Sequence, residues 1–167
     1  IGIMMYVAFR FEWRYSVGAV LALIHDVIVT MGMFSITGME FDLTVLAALL
    51  ALVGYSINDT IVVFDRIREM FRKLREATVE ETVNDAITST LSRTTITSGT
   101  TALSLVALFY LGGPLLHGFA AALLFGIAIG TYSSIYVASS IAVLLGASRE
   151  DLLPEVIEKE GENTPSL

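Results

Sequence analysis

Cysteine is absent from this chain of 167 residues, which excludes disulfides, thiol catalysis and cysteine-based metal sites. Charge is also scarce, because charged residues make up 16% of the chain, whereas a soluble domain averages about 25%. Hydrophobic residues make up 54% and fall in long blocks, which so short a chain could not bury in one soluble core. Strands of alternating polarity are missing, which argues against a barrel. These features predict an all-α, polytopic membrane protein.

Sequence signatures of catalysis are missing too. No phosphate-binding loop, zinc motif or catalytic triad is visible, so we expect neither an enzyme nor a bound metal or cofactor. Nothing suggests nucleic-acid binding. The net charge of −7 arises largely near the C-terminus, so we expect residues 147–167 to form a solvated acidic tail. Its acidic residues are Glu150, Asp151, Glu155, Glu158, Glu160 and Glu162.

Four apolar segments are long enough to cross a bilayer, at about 16–36, 43–64, 94–111 and 115–145. The last is longer than one crossing needs, so it either tilts or ends along the interface. An apolar stretch, Ile1–Phe9, precedes them without an initiating Met. Nine helical residues cover only about 14 Å, so we expect this stub to be the end of a longer helix that begins upstream. The predicted bundle therefore occupies residues 1–146.

Positive charge is missing from one side of the predicted membrane. The connections at 35–42 and 112–117 contain no Lys or Arg, and all ten basic residues lie in 10–14, in 65–93 or from Arg149 onward. The positive-inside rule makes the basic side cytoplasmic, together with the C-terminus.

The stretch 65–93 is predicted to be a cytoplasmic loop. Its first part is basic and apolar, which suits either an amphipathic helix on anionic membrane lipid or a solvated extension of the preceding helix. Thr78-Val-Glu-Glu81 has the pattern of a capping box that starts another helix. That helix places Val83, Ile87 and Leu91 on one stripe.

Asp59 is the sharpest functional candidate, because an ionisable group within an apolar span is costly. It lies in the cytoplasmic third of its span, about 9 Å from Asp65. Poor solvation there favours the protonated carboxyl. Ser56, Asn58 and Thr60 could support it with hydrogen bonds. The alternative is a buried carboxylate that only holds helices together.

Arg93 is predicted at a similar depth on the neighbouring helix, where it could pair with Asp59 or lie at the interface as an ordinary snorkelling side chain. Thr94 opens a hydroxyl-rich stretch that could line a hydrated path or allow close helix packing. His25 and Asp26 lie near mid-depth, where they could relay protons or neutralise each other, and we favour the structural role.

Gly126 and Gly130 form a GxxxG pattern in the last span and predict a close helix-packing face. The nearby serines lack a histidine base and are not expected to be nucleophiles.

The chain resembles the SecF subunits of the SecD/SecF family. The resemblance lies in Phe41–Thr44, Val53–Glu69, Leu91–Thr94, Thr97–Thr101, Phe9–Arg14 and Leu23–Asp26. It implies half of a resistance-nodulation-division bundle in the bacterial inner membrane, with an upstream first helix and a periplasmic domain. It implies a proton-driven subunit that works with SecD, the SecYEG channel and YajC. Unfolded preprotein would be held by the periplasmic domain.

The resemblance places the family's membrane aspartate on Asp59 and its partnering arginine on Arg93, with protons as the coupling ion. Two alternatives remain open. The chain could be a structural scaffold of the translocase, or half of a small-molecule or lipid exporter of the same superfamily.

Overall fold

The computed structural model describes residues 2, 5, 13–74 and 77–145, and every regular element within those residues is helical. The elements are α1 (Trp13–Thr37), α2 (Leu43–Lys73), α3 (Val79–Leu111), α4 (Pro114–Tyr132), a π-helical turn (Ser133–Val137) and α5 (Ala138–Leu144). The last three join into one helical rod, Pro114–Leu144. The acidic tail, and the stub apart from Gly2 and Met5, lie outside the described residues.

Local chemistry fixes where the helices begin. Asp42 caps α2, because its Oδ1 accepts hydrogen bonds from Val45 N at 2.9 Å and from the Thr44 hydroxyl at 2.7 Å. The Val45 N–H, followed by the Thr44 hydroxyl, lowers the pKa of Asp42. Gly113 precedes α4 with a φ of 73°, a conformation that favours glycine, and Pro114 occupies the first turn.

Most of the predicted cytoplasmic connection at 65–93 is helical, and its two helices are continuous with the spans on either side. The first part is an unbroken extension of α2 to Lys73, which favours the helix-extension alternative for the basic run. The capping box is confirmed: Thr78 Oγ1 accepts from Glu81 N, and the Glu81 carboxylate accepts from Thr78 N. From this cap α3 continues without interruption to Leu111, so only the stretch from Leu74 to Thr78 separates the two helices.

Four helical segments are long and apolar enough to cross a membrane: Trp13–Thr37, Leu43–Lys73, Val79–Leu111 and Pro114–Leu144. At 1.5 Å per residue, α2 and α3 measure about 46–50 Å, whereas the hydrocarbon core is about 30 Å thick. Large apolar side chains on the outer faces, such as Ile28, Leu50 and Leu103, are exposed, as lipid contact requires. We conclude that the chain is a multi-pass membrane bundle in which α2 and α3 extend beyond the bilayer.

The bundle has two apolar clusters. One contains Phe34, Leu49, Leu52 and Ile127 and lies toward the connections at 38–42 and 112–113. The other lies toward the opposite end and contains Tyr15, Phe64, Ile67, Phe71, Val83, Ala86, Ala138 and Ala142. Helix α2 contributes to both clusters and packs against all the other elements, which makes it the central helix. Buried polar residues lie between the two clusters.

Candidate functional site

The buried polar residues between the apolar clusters form a layer, which we call the polar layer. Its members come from α1, α2 and the π-helical turn, and all are almost completely buried. They are Asp26, Thr30, Ser56, Asp59, Thr60, Ser133 and Ser134. A π-helical turn is rare and is often found at functional sites, so its presence in the polar layer supports this layer as the candidate functional site.

Asp26 is fully buried, and both its carboxylate oxygens have partners. The Ser56 hydroxyl donates to Asp26 Oδ2 at 2.6 Å, which joins α1 to α2. His25 Nδ1 lies 3.1 Å from Asp26 Oδ1, although the His25 side chain is itself 38% exposed. Asp26 is thus a buried carboxylate with both oxygens paired, as most buried polar atoms in proteins are.

Asp59 has quite different surroundings. It is 4% exposed, and its Oδ2 is buried without any hydrogen-bond partner. Most buried polar atoms in proteins are hydrogen-bonded, and leaving one unpaired is costly. The protonation state of a carboxyl in such surroundings depends strongly on the position of any nearby charge. Asp59 therefore has an unpaired buried carboxyl oxygen, whereas both carboxylate oxygens of Asp26 have partners.

Arg93 is close enough to interact electrostatically with Asp59. It does not supply the missing hydrogen bond, because Asp59 Oδ2 remains unpaired. Arg93 is exposed and lines a cleft of about 560 Å³ between α2 and α3. The structure thus brings the two predicted residues into one neighbourhood without a direct contact at Oδ2.

The register of α2 and α3 explains this proximity. Tyr55 Oη donates to Ser98 Oγ at 3.2 Å, which fixes the two antiparallel helices at this level. Asp59 lies one turn after Tyr55, and Thr94 lies one turn before Ser98, so these two residues occupy the same level. Thr94 is 2% exposed, and its hydroxyl is also buried without a partner.

The predicted supporting residues do not bond to Asp59. The Ser56 hydroxyl goes to Asp26, and the Thr60 hydroxyl donates to Ser56 O at 3.0 Å and to Ser134 Oγ at 3.1 Å. Asn58 is exposed. Asn58 and Thr60 are adjacent to Asp59 in sequence, so helical geometry points them to other sides of α2. Ser56, three positions away, lies near the same face, but its hydroxyl is taken by Asp26.

The two glycines of α4 lie against α2. A Cβ atom on Gly126 would lie 2.5 Å from Leu52 Cδ2, so an alanine there would force the Leu52 side chain to shift. A Cβ atom on Gly130 would lie 3.4 Å from Ser56 Cβ and 3.5 Å from Asp26 Oδ2, which are ordinary contacts.

Two interhelical links were not identified from the sequence. Ser98 Oγ lies 2.7 Å from Thr131 Oγ1, so a chain from Tyr55 through Ser98 to Thr131 joins α2, α3 and α4. Arg66 Nε donates to Ser89 Oγ at 2.7 Å across α2 and α3. The sequence signal was the presence of hydroxyl residues in apolar spans, but it does not specify the partners. Within residues 13–74 and 77–145, no three His, Asp or Glu side chains cluster as metal ligands would.

The chain is similar to known proteins of protein export. The family described as protein export membrane protein SecD/SecF, C-terminal, matches residues 1–148. The chain is 60% identical over 159 residues to protein translocase subunit SecF of Vibrio alginolyticus, covering 95% of this chain and 50% of that protein. It is 53% identical over 167 residues to SecF of Escherichia coli O157:H7, covering 100% and 52%. The chain thus spans about half the length of these curated relatives.

Solved structures show the same fold. A crystal structure of SecDF in the super-membrane-facing form matches with a TM-score of 0.83 and 52% identity, over 88% of this chain and 20% of that chain. A crystal structure of SecDF from Thermus thermophilus, described as a translocon-associated membrane protein, matches with a TM-score of 0.81 and 52% identity, over 86% and 20%.

Proposed function

This chain belongs to the SecD/SecF family of protein export membrane proteins, and we propose that it forms the membrane half of a SecF-like translocase subunit. Such a subunit uses the proton gradient to promote the export of unfolded preproteins across the bacterial inner membrane. The names of the relatives and of the matching SecDF structures support SecD as its partner. SecYEG and YajC are further proposed partners, and the C-terminus is proposed to be cytoplasmic.

The observation that carries the proposal is the isolation of Asp59 in the polar layer. Asp26 is equally buried but has its hydrogen bonds satisfied, whereas Asp59 Oδ2 has no partner and lies near the charge of Arg93. A carboxyl used only for packing would be bonded as Asp26 is. The proton-binding role is therefore assigned to Asp59 and the packing role to Asp26.

The proposed mechanism is a two-state exchange of charge. When Asp59 is deprotonated, it attracts Arg93, which draws α3 toward α2. A proton that enters from outside neutralises Asp59 and releases Arg93, so the relative stability of the two helix packings changes. The movement is transmitted to the periplasmic domain that holds the exported chain.

The available energy sets a limit on this mechanism. One proton moving down a potential of 100 mV supplies about 2.3 kcal/mol. That biases a two-state equilibrium, but shifting it from 1:99 to 99:1 needs about 5.5 kcal/mol. Several protons per cycle, or a contribution from the pH gradient, are therefore required.

The test is the Asp59→Asn variant of the full-length subunit with its partner. Asn keeps the size of the side chain but cannot exchange a proton, so the complex should assemble at normal levels and lose the gradient-dependent part of export. Arg93→Met should show the same loss, and Arg93→Lys should retain part of the activity, since it keeps the charge without the planar fork. Export is measured with and without an uncoupler.

Asp26→Asn is the matched control, because it changes a carboxylate in the same polar layer. It should lower the stability of the complex while whatever export remains still responds to the uncoupler. If Asp59→Asn exports like the parent and responds to the uncoupler, the proton-carrier role is wrong and a scaffold role replaces it.

A further inference from the structure

The segment Asp65-Arg-Ile-Arg-Glu69 directly follows the Asp59 region on α2, and the proposed function gives it no role. Ile67 is buried in the apolar cluster, with 1% exposure. Asp65, Arg66 and Glu69 instead line the cleft between α2 and α3. The segment thus presents a charged surface to the same cleft that Arg93 lines.

Arg66 joins the two helices that carry Asp59 and Arg93. Its Nε donates to Ser89 Oγ on α3 at 2.7 Å, and its Nη1 donates to Glu69 Oε2 at 2.5 Å. Lys73 Nζ also lies 2.6 Å from the Glu69 carboxylate, but within α2. The planar guanidinium of Arg66 is therefore held by two hydrogen bonds. Of the two cations that pair with Glu69, Arg66 also bonds to α3, whereas Lys73 pairs within α2.

The cleft extends from this bridge toward Asp59. Val62 lies one helical turn from Arg66 in the direction of Asp59, and Arg93 lies one turn from Ser89 on the facing helix. All four residues line the cleft, whose volume is about 560 Å³. Its charged lining consists of Asp65, Arg66, Glu69 and Arg93. Such a space is large enough and polar enough to hold several water molecules, whereas empty cavities in proteins are apolar.

We propose that this cleft is the water-filled passage through which Asp59 exchanges protons with the aqueous phase at the Arg66 end, and that the Arg66–Ser89 bridge closes it. The proposal rests on the proposed proton-carrier role of Asp59. Arg66 is a positioning residue, because it acts by holding α3 against α2. Its position places Arg93 beside the inner end of the passage.

Cysteine labelling tests the passage directly, because this chain has no cysteine of its own. Val62→Cys is introduced into the full-length subunit, with any cysteine outside this chain replaced, in inverted membrane vesicles. The probe is a charged, membrane-impermeant thiosulfonate. Val62 lies within a membrane span, so its labelling requires water in the cleft. Ile96→Cys, exposed on α3 outside the cleft, should not be labelled.

The bridge is tested by measuring the labelling rate of Val62→Cys in second-site variants. Arg66→Gln and Ser89→Ala each remove the bridge and should raise the rate by roughly two- to tenfold, the factor expected for one net hydrogen bond. Lys73→Gln is the matched control, because it removes the other cation from Glu69 without touching α3, and it should leave the rate unchanged. Ser89→Ala provides the test if Arg66→Gln does not assemble.

Two results would overturn the proposal. Val62→Cys that labels no faster than Ile96→Cys in every background would show that the cleft is dry. Equal rates in the parent, Arg66→Gln and Ser89→Ala would show that the bridge does not close it. Labelling does not depend on proton transport, so the passage and the role of Asp59 can fail separately. An Asp59→Asn variant that still exports normally would remove the proton role and leave the labelling pattern intact.

Discussion

At the scale of single residues, two buried aspartates behave differently because of what the neighbouring helices offer them. Ser56 and His25 reach Asp26, so that carboxylate is satisfied and links α1 to α2. No comparable donor reaches Asp59 Oδ2, although Thr94 lies at its level on α3 with an unpaired hydroxyl of its own. Such unsatisfied groups are costly, and they are typical of sites where function rather than stability selects the residues.

Gly126→Ala is expected to destabilise the bundle. The added Cβ would lie 2.5–3.1 Å from three atoms of Leu52, which is 1% exposed and cannot move freely in its cluster. Overpacking of this kind costs about 1–3 kcal/mol. The measurement is the thermal stability of the purified complex, followed by size-exclusion chromatography after heating.

Gly54→Ala is the control for this prediction, because nothing lies within 4 Å of a Cβ atom at Gly54 on α2. It should leave the thermal stability nearly unchanged. Combining Gly126→Ala with Leu52→Ala should cost less than the sum of the two single changes, since the smaller side chain removes the clash. A fully additive loss would mean that Leu52 is not what resists the alanine.

At the scale of the helices, the main feature is that α2 and α3 extend past the membrane as a hairpin. Their extended parts pack through Phe71, Val83 and Ala86 and carry the bridge from Arg66 to Ser89. The connection at 65–93 is therefore built from the same two helices that carry Asp59 and Arg93.

Thr78→Ala is expected to weaken the start of α3, because it removes the side-chain oxygen that accepts from Glu81 N. Loss of such a cap costs about 0.5–2 kcal/mol. Hydrogen exchange should therefore speed up at the amides of Val79–Glu81. Thr88→Ala, whose hydroxyl donates within α3 to Asn84 O, is the control and should not change exchange at the first turn. Unchanged exchange in Thr78→Ala would show that the cap does not hold this end.

At the scale of the whole molecule, the bundle is organised as two apolar clusters separated by the polar layer, with α2 passing through all three. The exposed apolar faces of the bundle require lipid, and the one-sided distribution of basic residues sets its predicted orientation. In that predicted orientation, the Arg66 end of the cleft faces the cytoplasm.

Single-cysteine labelling of intact cells tests this orientation. Ser35→Cys and Leu115→Cys, both exposed near the connections that lack Lys and Arg, should react with an impermeant reagent from the periplasm. Asp85→Cys on the extended part of α3 should react only after the membrane is opened. Gly113 is avoided because its φ of 73° makes any other residue strained. Reaction of Asp85→Cys in intact cells would show that this part of α3 faces the periplasm, which would reverse both the predicted orientation and the direction of the proposed proton path.

Much of this molecule follows from local sequence. Blocks of apolar residues set the four spans, the Thr78 box set the start of α3, and the charge within an apolar span singled out Asp59. The extension of α2 to Lys73 could not be decided from the sequence, because charged residues on a helix outside the membrane have the same composition as those of a loop.

The partners of the buried polar groups were decided only by the tertiary structure. Ser56 is closer in sequence to Asp59, yet its hydroxyl bonds to Asp26 on α1, and Arg66 bonds to Ser89 rather than only within its own helix. Sequence determines which residues share a helix face, because helical periodicity is local. Which face meets which depends on the register and rotation of separate helices. That arrangement is fixed by long-range packing such as Leu52 against Gly126.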